Sequence, residues 1–239
     1  MSDSFPTTMA DRLAAIRARM AAACDRAGRP HDSVALLPVS KTFDAGAVRE
    51  AAGLGLRRFG ENKTQEIRQK APELADLGLQ WVMIGHLQTN KAKEAARIAA
   101  EVQSLDRLEL AEALQRRLDL EGRVLDVLVQ VKTSPEPSKF GLAPEDLPAL
   151  LRAVARGCPA LRVQGLMTMA VNSDDAGAVR ACFARLRTLR DQMRGEGIDG
   201  VSLERLSMGM SGDFELAIEE GSTEVRIGSA LFGARDYGA

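Results

Sequence analysis

Two hydrophobic periods alternate along the chain. Short apolar and β-branched runs at 34–41, 57–61, 80–86, 101–105, 125–132, 161–168, 203–208 and 224–232 read as strands. Between them, apolar residues recur at helical spacing. Asp106 reads as the cap of a helix carrying Leu110, Leu114 and Leu118, and Ser173 or Asp174 as the start of another with Val179, Phe183, Leu186 and Met193 on one stripe. A further helix precedes the first strand, with Met9, Leu13, Ile16 and Met20 on one face. Eight strands, each with a helical neighbour, predict an α/β protein folded as a TIM-type (β/α)8 barrel, with an open doubly wound sheet as the competitor. The chain reads as one domain over 1–239, with 1–30 as a helical extension packed on the barrel. No stretch resembles a linker, and 134–138, with Pro135 and Pro137, is the candidate mobile loop.

Composition narrows the class. A length of 239 residues suits one barrel, which typically takes about 250. With 45% hydrophobic and 27% charged residues and a net charge of -1, nothing calls for nucleic acid or a membrane surface as partner. No apolar run is long enough to span a bilayer and the first residues do not read as a signal peptide, so a cytoplasmic protein is expected. Cys24, Cys158 and Cys182 are odd in number and lack metal-ligand spacing, as expected of buried thiols in a reducing compartment. No metal is expected. No exposed apolar stripe demands a partner, and the expected state is a monomer or weak dimer.

Candidate chemistry sits where strands end, since barrels carry their reactive groups at the carboxyl ends. Those ends give Lys41, Glu61-Asn62, His86, Lys132, Thr168-Met169, the run Ser207-Met208-Gly209-Met210-Ser211, and Arg226-Ile227-Gly228-Ser229. Desolvation at the end of an apolar strand would lower the pKa of Lys41 and make it an amine nucleophile toward carbonyls. The last two ends read as an anion cradle. Gly209 permits close backbone approach, Ser207 and Ser211 supply hydroxyls, a short helix at 213–219 follows, and Gly228-Ser229 adds further donors. An imine-forming lysine facing a phosphate cradle fits either a pyridoxal 5'-phosphate (PLP) site or a cofactor-free aldolase. The pattern leaves both open.

The same residues carry a resemblance. Ser40-Lys41-Thr42, Phe59-Gly60-Glu61-Asn62, Ile84-Gly85-His86-Leu87-Gln88-Thr89-Asn90-Lys91, Lys139-Phe140-Gly141, Gly165-Leu166-Met167, Leu206 through Ser211 and Val225-Arg226-Ile227-Gly228 run in order over nearly the whole chain. The series resembles the pyridoxal phosphate homeostasis protein family. The resemblance implies a barrel of the alanine racemase N-terminal-domain type, without the second, β-rich domain of racemases. It implies PLP as cofactor, held as a Schiff base on Lys41, and a role in vitamin B6 and amino-acid homeostasis with PLP-dependent apoenzymes as candidate recipients. Ser207, Gly209, Gly228 and Ser229 match phosphate-binding positions, Ser211 belongs to the same cradle, and Arg226 matches the arginine facing the pyridine nitrogen. Asn62 and His86 match pocket-lining residues. The sequence departs from the family at Gly212-Asp213, where an acidic residue often follows the serine directly, which bears on the cap of the next helix.

Two consequences favour a carrier over an enzyme. An arginine beside the pyridine nitrogen disfavours its protonation and weakens the ring as an electron sink. Racemisation, the alternative reading, needs an acid or base on each face. The sole tyrosine is Tyr237 in the tail, His31 precedes the first strand at the far end of the barrel, and His86 is at the right end.

Overall fold

The computed structural model describes residues 8–136 and 139–233. Pro137, Ser138 and Tyr237, which the sequence reading used, lie outside the described residues. The strands are β1 (Ala35–Pro38), β2 (Arg58–Glu61), β3 (Gln80–Met83), β4 (Glu101–Leu105), β5 (Leu125–Gln130), β6 (Leu161–Met167), β7 (Val201–Ser207) and β8 (Glu224–Ile227). They form one parallel sheet in the order β1-β8-β7-β6-β5-β4-β3-β2. Its two ends meet where Val39 bridges Gly60 and the Ser40 amide donates to the Gly60 carbonyl at 3.0 Å. This nearly closed barrel is the expected architecture rather than an open doubly wound sheet. The helices are α1 (Met9–Arg26), α2 (Ala45–Gly53), α3 (Thr64–Glu73), α4 (Ala92–Ile98), α5 (Leu108–Glu121), α6 (Leu147–Gly157), α7 (Ala176–Glu196), α8 (Phe214–Glu219) and α9 (Ser229–Phe232). No helix among the described residues is long and apolar enough to cross a membrane.

The predicted apolar stripes are buried: Leu110, Leu114 and Leu118 on α5, and Val179, Phe183, Leu186 and Met193 on α7. Their starts differ from expectation. The α5 cap is Arg107, because the Asp106 carboxylate faces His86 and the Arg107 guanidinium instead of the helix amides. The α7 cap is Asp175, one residue beyond Asp174, and it accepts from Gly177 and Ala178 at 2.8 and 3.3 Å. The predicted strand at 224–232 ends at Ile227. Gly228 leaves the extended region (φ -107°, ψ -88°), and the amides of Leu231 and Phe232 turn back to its carbonyl. A short apolar run has no period long enough to separate strand from helix.

A reciprocal Thr8–Asp11 cap starts α1, whose face of Met9, Leu13, Ile16, Met20, Ala23 and Cys24 is buried. Its other contacts reach the last two helices. Arg19 pairs with Glu215 and Arg26 with Glu219, each at 2.6 Å, and Arg12 Nε donates to the Leu231 carbonyl at 2.6 Å. This helix therefore straps down the segments that follow β7 and β8.

The barrel interior carries a buried polar network, which the sequence reading did not anticipate. Glu101 and Gln103 of β4, Arg205 and Ser207 of β7, and Glu224 and Arg226 of β8 sit at alternate positions of their strands. Arg58 of β2 bonds Glu224 and Glu101 at 2.8 and 2.9 Å, and Arg205 bonds the same two at 2.9 and 2.6 Å. Strands β2, β4 and β8 are not neighbours in the sheet, so these bonds cross the lumen. Burial opposes ionisation of Glu224, but Arg205 and Arg58 outweigh it and hold its carboxyl below the usual range.

Candidate functional site

The carboxyl ends of the strands surround a cavity of about 390 Å³. Lys41, Asn62, His86, Ser211, Arg226, Gly228 and Ser229 all line it, so seven of the sequence-predicted site residues come together. Ser207 and Gly209 do not reach its wall. The remaining lining includes Val39, Ile84, Gln130, Phe140, Met167, Met169 and Met210. Among its described lining residues there is no carboxylate, while Lys41 and Arg226 bring positive charge. Such a cavity offers apolar walls to a flat ring and a cationic, hydroxyl-bearing environment to an anion.

Lys41 follows β1 and is held through its neighbours. The Ser40 hydroxyl donates to Glu61 Oε1 at 2.7 Å, and Lys70 Nζ donates to both Glu61 Oε1 and the Ser40 carbonyl, at 2.7 and 2.8 Å. On the other side Thr42 has φ +70°, and its amide donates to Glu66 Oε1 at 3.0 Å. Burial pushes Glu61 up to about 7, against the opposing pull of Lys70 and Ser40. Its second oxygen, Oε2, is buried without a hydrogen-bond partner.

Arg226 is 4% exposed and anchored from below. It donates to the Ser207 hydroxyl at 2.8 Å and to the Thr168 carbonyl at 2.7 Å. Burial lowers its pKa to about 10, with Glu224 and Asp213 opposing, which leaves it cationic at neutral pH. The Ser207 hydroxyl in turn donates to Gln103 Oε1 at 2.8 Å. The Ser207 hydroxyl, expected to face a phosphate, is fully buried, bonded to Gln103 and Arg226, and does not line the cavity.

Gly209 does not line the cavity either. It has φ +96°, and a Cβ there would lie 2.6 Å from Ala217 Cβ and 3.0 Å from Phe214 Cα, so the close approach it permits is that of α8. The helix facing the cavity is α9, not the 213–219 segment. The Met210 carbonyl already takes the amides of Asp213 and Phe214 at the α8 start. Asp213 makes no side-chain cap on α8; its carboxylate accepts from the Met210 amide at 2.6 Å and closes the preceding turn. Ser211 Oγ accepts from the Ala230 amide at 3.3 Å, joining the two loops of the cradle.

His86 stacks on Phe140, ring centroids 4.3 Å apart, with Nδ1 3.3 Å from Asp106 Oδ2. Asn62 brings its backbone against Gly85, where a Cβ would lie 2.3 Å from the Asn62 carbonyl oxygen. His31 pairs with Asp25 ahead of β1, away from the cavity. The sequence reading missed Gln103 and Lys70 as supports. The polar alternation in β4 could have pointed to the first, whereas Lys70 lies in an otherwise ordinary helix.

A family description, the alanine racemase N-terminal domain, matches residues 12–236. The pyridoxal phosphate homeostasis protein of Pseudomonas aeruginosa is 48% identical over 98% of this chain and 98% of its own length. The structure of PipY from Synechococcus elongatus with PLP bound has a TM-score of 0.84 at 38% identity, covering 95% of this chain and all of PipY. Alanine racemase from Streptomyces coelicolor shares the fold alone, at 24% identity, a TM-score of 0.67 and 58% of its length covered. With the barrel, the cavity and these matches together, the chain belongs to the pyridoxal phosphate homeostasis protein family.

Proposed function

We propose that this chain binds PLP, held as a Schiff base on Lys41, and serves intracellular PLP and amino-acid homeostasis as a carrier rather than as a committed enzyme. The observation that carries the reading is the convergence of Lys41, Arg226, Ser211, Gly228 and Ser229 on one cavity whose described lining holds no carboxylate. The donor set fits the cofactor: an amine for the aldehyde, apolar side chains for the ring, and hydroxyls and backbone for the phosphate. When bound, PLP supplies an aldehyde that condenses with amines and a ring that withdraws electrons.

The chain's own residues set what that chemistry can become. Lys41 provides the amine. Arg226 would face the pyridine nitrogen, where its charge would disfavour a proton. Ser211, Ser229 and the backbone at Gly212 and Gly228 would hold the phosphate. The described titratable side chains on the wall are Lys41, His86 and Arg226, and His86 is engaged by Asp106 and Phe140. This set supports holding the cofactor better than two-faced proton transfer on an amino acid. A single domain, a monomeric or weakly dimeric state, a cytoplasmic location and PLP-dependent apoenzymes as recipients complete the proposal.

The test is the visible absorption spectrum of the purified protein, then borohydride reduction and peptide mass spectrometry. A Schiff-base band and a pyridoxyl adduct on Lys41 are expected. No band after added PLP would overturn the reading and favour a cofactor-free aldolase. Steady interconversion of amino-acid enantiomers would favour a racemase.

A further inference from the structure

The segment after β1 must present one lysine from a backbone that is no longer in a ladder. Ser40 and Thr42, on either side of Lys41, are both tied to neighbouring elements. Ser40 uses its amide, hydroxyl and carbonyl: the amide goes to Gly60, the hydroxyl to Glu61, and the carbonyl accepts from Lys70. Thr42 adopts the left-handed region and gives its amide to Glu66. Glu66 and Lys70 are four residues apart on α3 and share a face, so one helix grips both flanks of Lys41. Lys70 is 7% exposed and Glu61 fully buried.

As a stabilising device, a buried lysine–glutamate pair is poor, because desolvating both charges offsets their attraction; two apolar side chains would serve as well. An apolar pair could not, however, fix a carbonyl and a hydroxyl at once. The left-handed Thr42 adds a strained backbone next to the reactive residue, where strain is kept for positioning.

We propose that Glu61 and Lys70, with Glu66 on the opposite flank, are positioning residues that aim the Lys41 amine at the cavity. This rests on the reading that Lys41 forms the Schiff base with PLP. In that condensation the neutral amine adds to the aldehyde carbon, the aldehyde oxygen leaves as water with the two amine protons, and a C=N bond remains. A fixed backbone on both sides of Lys41 makes the addition effectively intramolecular once the phosphate is seated. Glu61 and Lys70 do not line the cavity and reach the Lys41 segment through Ser40.

The experiment compares two ligands on the full chain: PLP, and pyridoxine 5'-phosphate, whose alcohol cannot form an imine. The Glu61→Gln/Lys70→Met double variant removes both charges together, and Glu66→Ala removes the Thr42 anchor. Each variant is expected to lower the rate and extent of the Schiff-base band by about tenfold, with pyridoxine 5'-phosphate affinity kept within about twofold. Equal losses for both ligands would mean general disruption of the cavity and overturn the proposal, as would an unchanged band in the double variant. Should the double variant not fold, Glu66→Ala decides alone, an unchanged band again overturning it. If wild type itself binds PLP without the band, the Schiff-base reading fails instead.

Discussion

Arg226 donates to the hydroxyl of Ser207 at 2.8 Å, and that bond determines what each residue does. Ser207 passes the contact to Gln103, which donates to Glu101 at 2.7 Å and also to Glu224, both bound to Arg58 and Arg205. A continuous polar column thus runs from the cavity down the lumen. A cation at the site is held in place by neutral and ionic groups that do not line the cavity.

Ser207→Ala should therefore act on Arg226 rather than on phosphate. It leaves a buried guanidinium N–H and the Gln103 oxygen short of a partner, a cost of about 1–3 kcal/mol in unfolding free energy. The preference for PLP over pyridoxal should survive in Ser207→Ala and fall several-fold in Ser229→Ala. Binding titrations with both ligands check this; loss of the preference in Ser207→Ala would return that serine to the phosphate.

Lys41→Ala should abolish the Schiff-base band and the borohydride adduct yet keep a weaker, phosphate-anchored affinity, since Ser211, Gly228 and Ser229 are untouched. Equilibrium dialysis with PLP measures it. Complete loss of binding would contradict the cradle assignment.

The architecture was legible because each layer repeats: eight short apolar runs and amphipathic helices give a barrel without knowledge of any contact. Its carboxyl ends were legible for the same reason, and Lys41, Asn62, His86, Ser211, Arg226, Gly228 and Ser229 do share a cavity. What was not legible depends on which way a side chain near a strand end turns. Ser207 and Ser211 have the same hydroxyl and lie four residues apart. The first is within β7 and points to Gln103, whereas the second is past the strand and reaches the cavity. Lys70 was hidden because a lysine in a helix reads as solvated until the fold shows Glu61 beside it.

Gly209→Ala should destabilise the protein and perturb ligand binding only secondarily. The added Cβ collides with Ala217 at 2.6 Å and the residue must keep φ +96°, so the β7–α8 turn has to shift. A loss of about 1–3 kcal/mol is expected from strain and overpacking, read by urea unfolding. A wild-type midpoint would mean that α8 does not press on this turn.

Glu61 should give stability a pH dependence opposite in sign to that of an ordinary paired carboxylate. Its pKa rises from 4.5 to about 7 on folding, with burial as the main cause. Below the unfolded value both states hold the proton and its contribution is fully present. As pH rises from about 4.5 toward 7, the unfolded chain releases the proton first, so folding stability declines by an amount on the order of 3 kcal/mol at most. Glu224 runs the other way, since its lowered pKa gives stability above the usual glutamate range that is lost in acid. Glu61→Gln keeps an acceptor for Ser40 and Lys70 but cannot ionise. The difference in unfolding free energy between variant and wild type should therefore move in favour of the variant between pH 5 and about 7.5. Parallel stability profiles across that range would show that Glu61 remains ionised throughout, with Lys70 outweighing its burial.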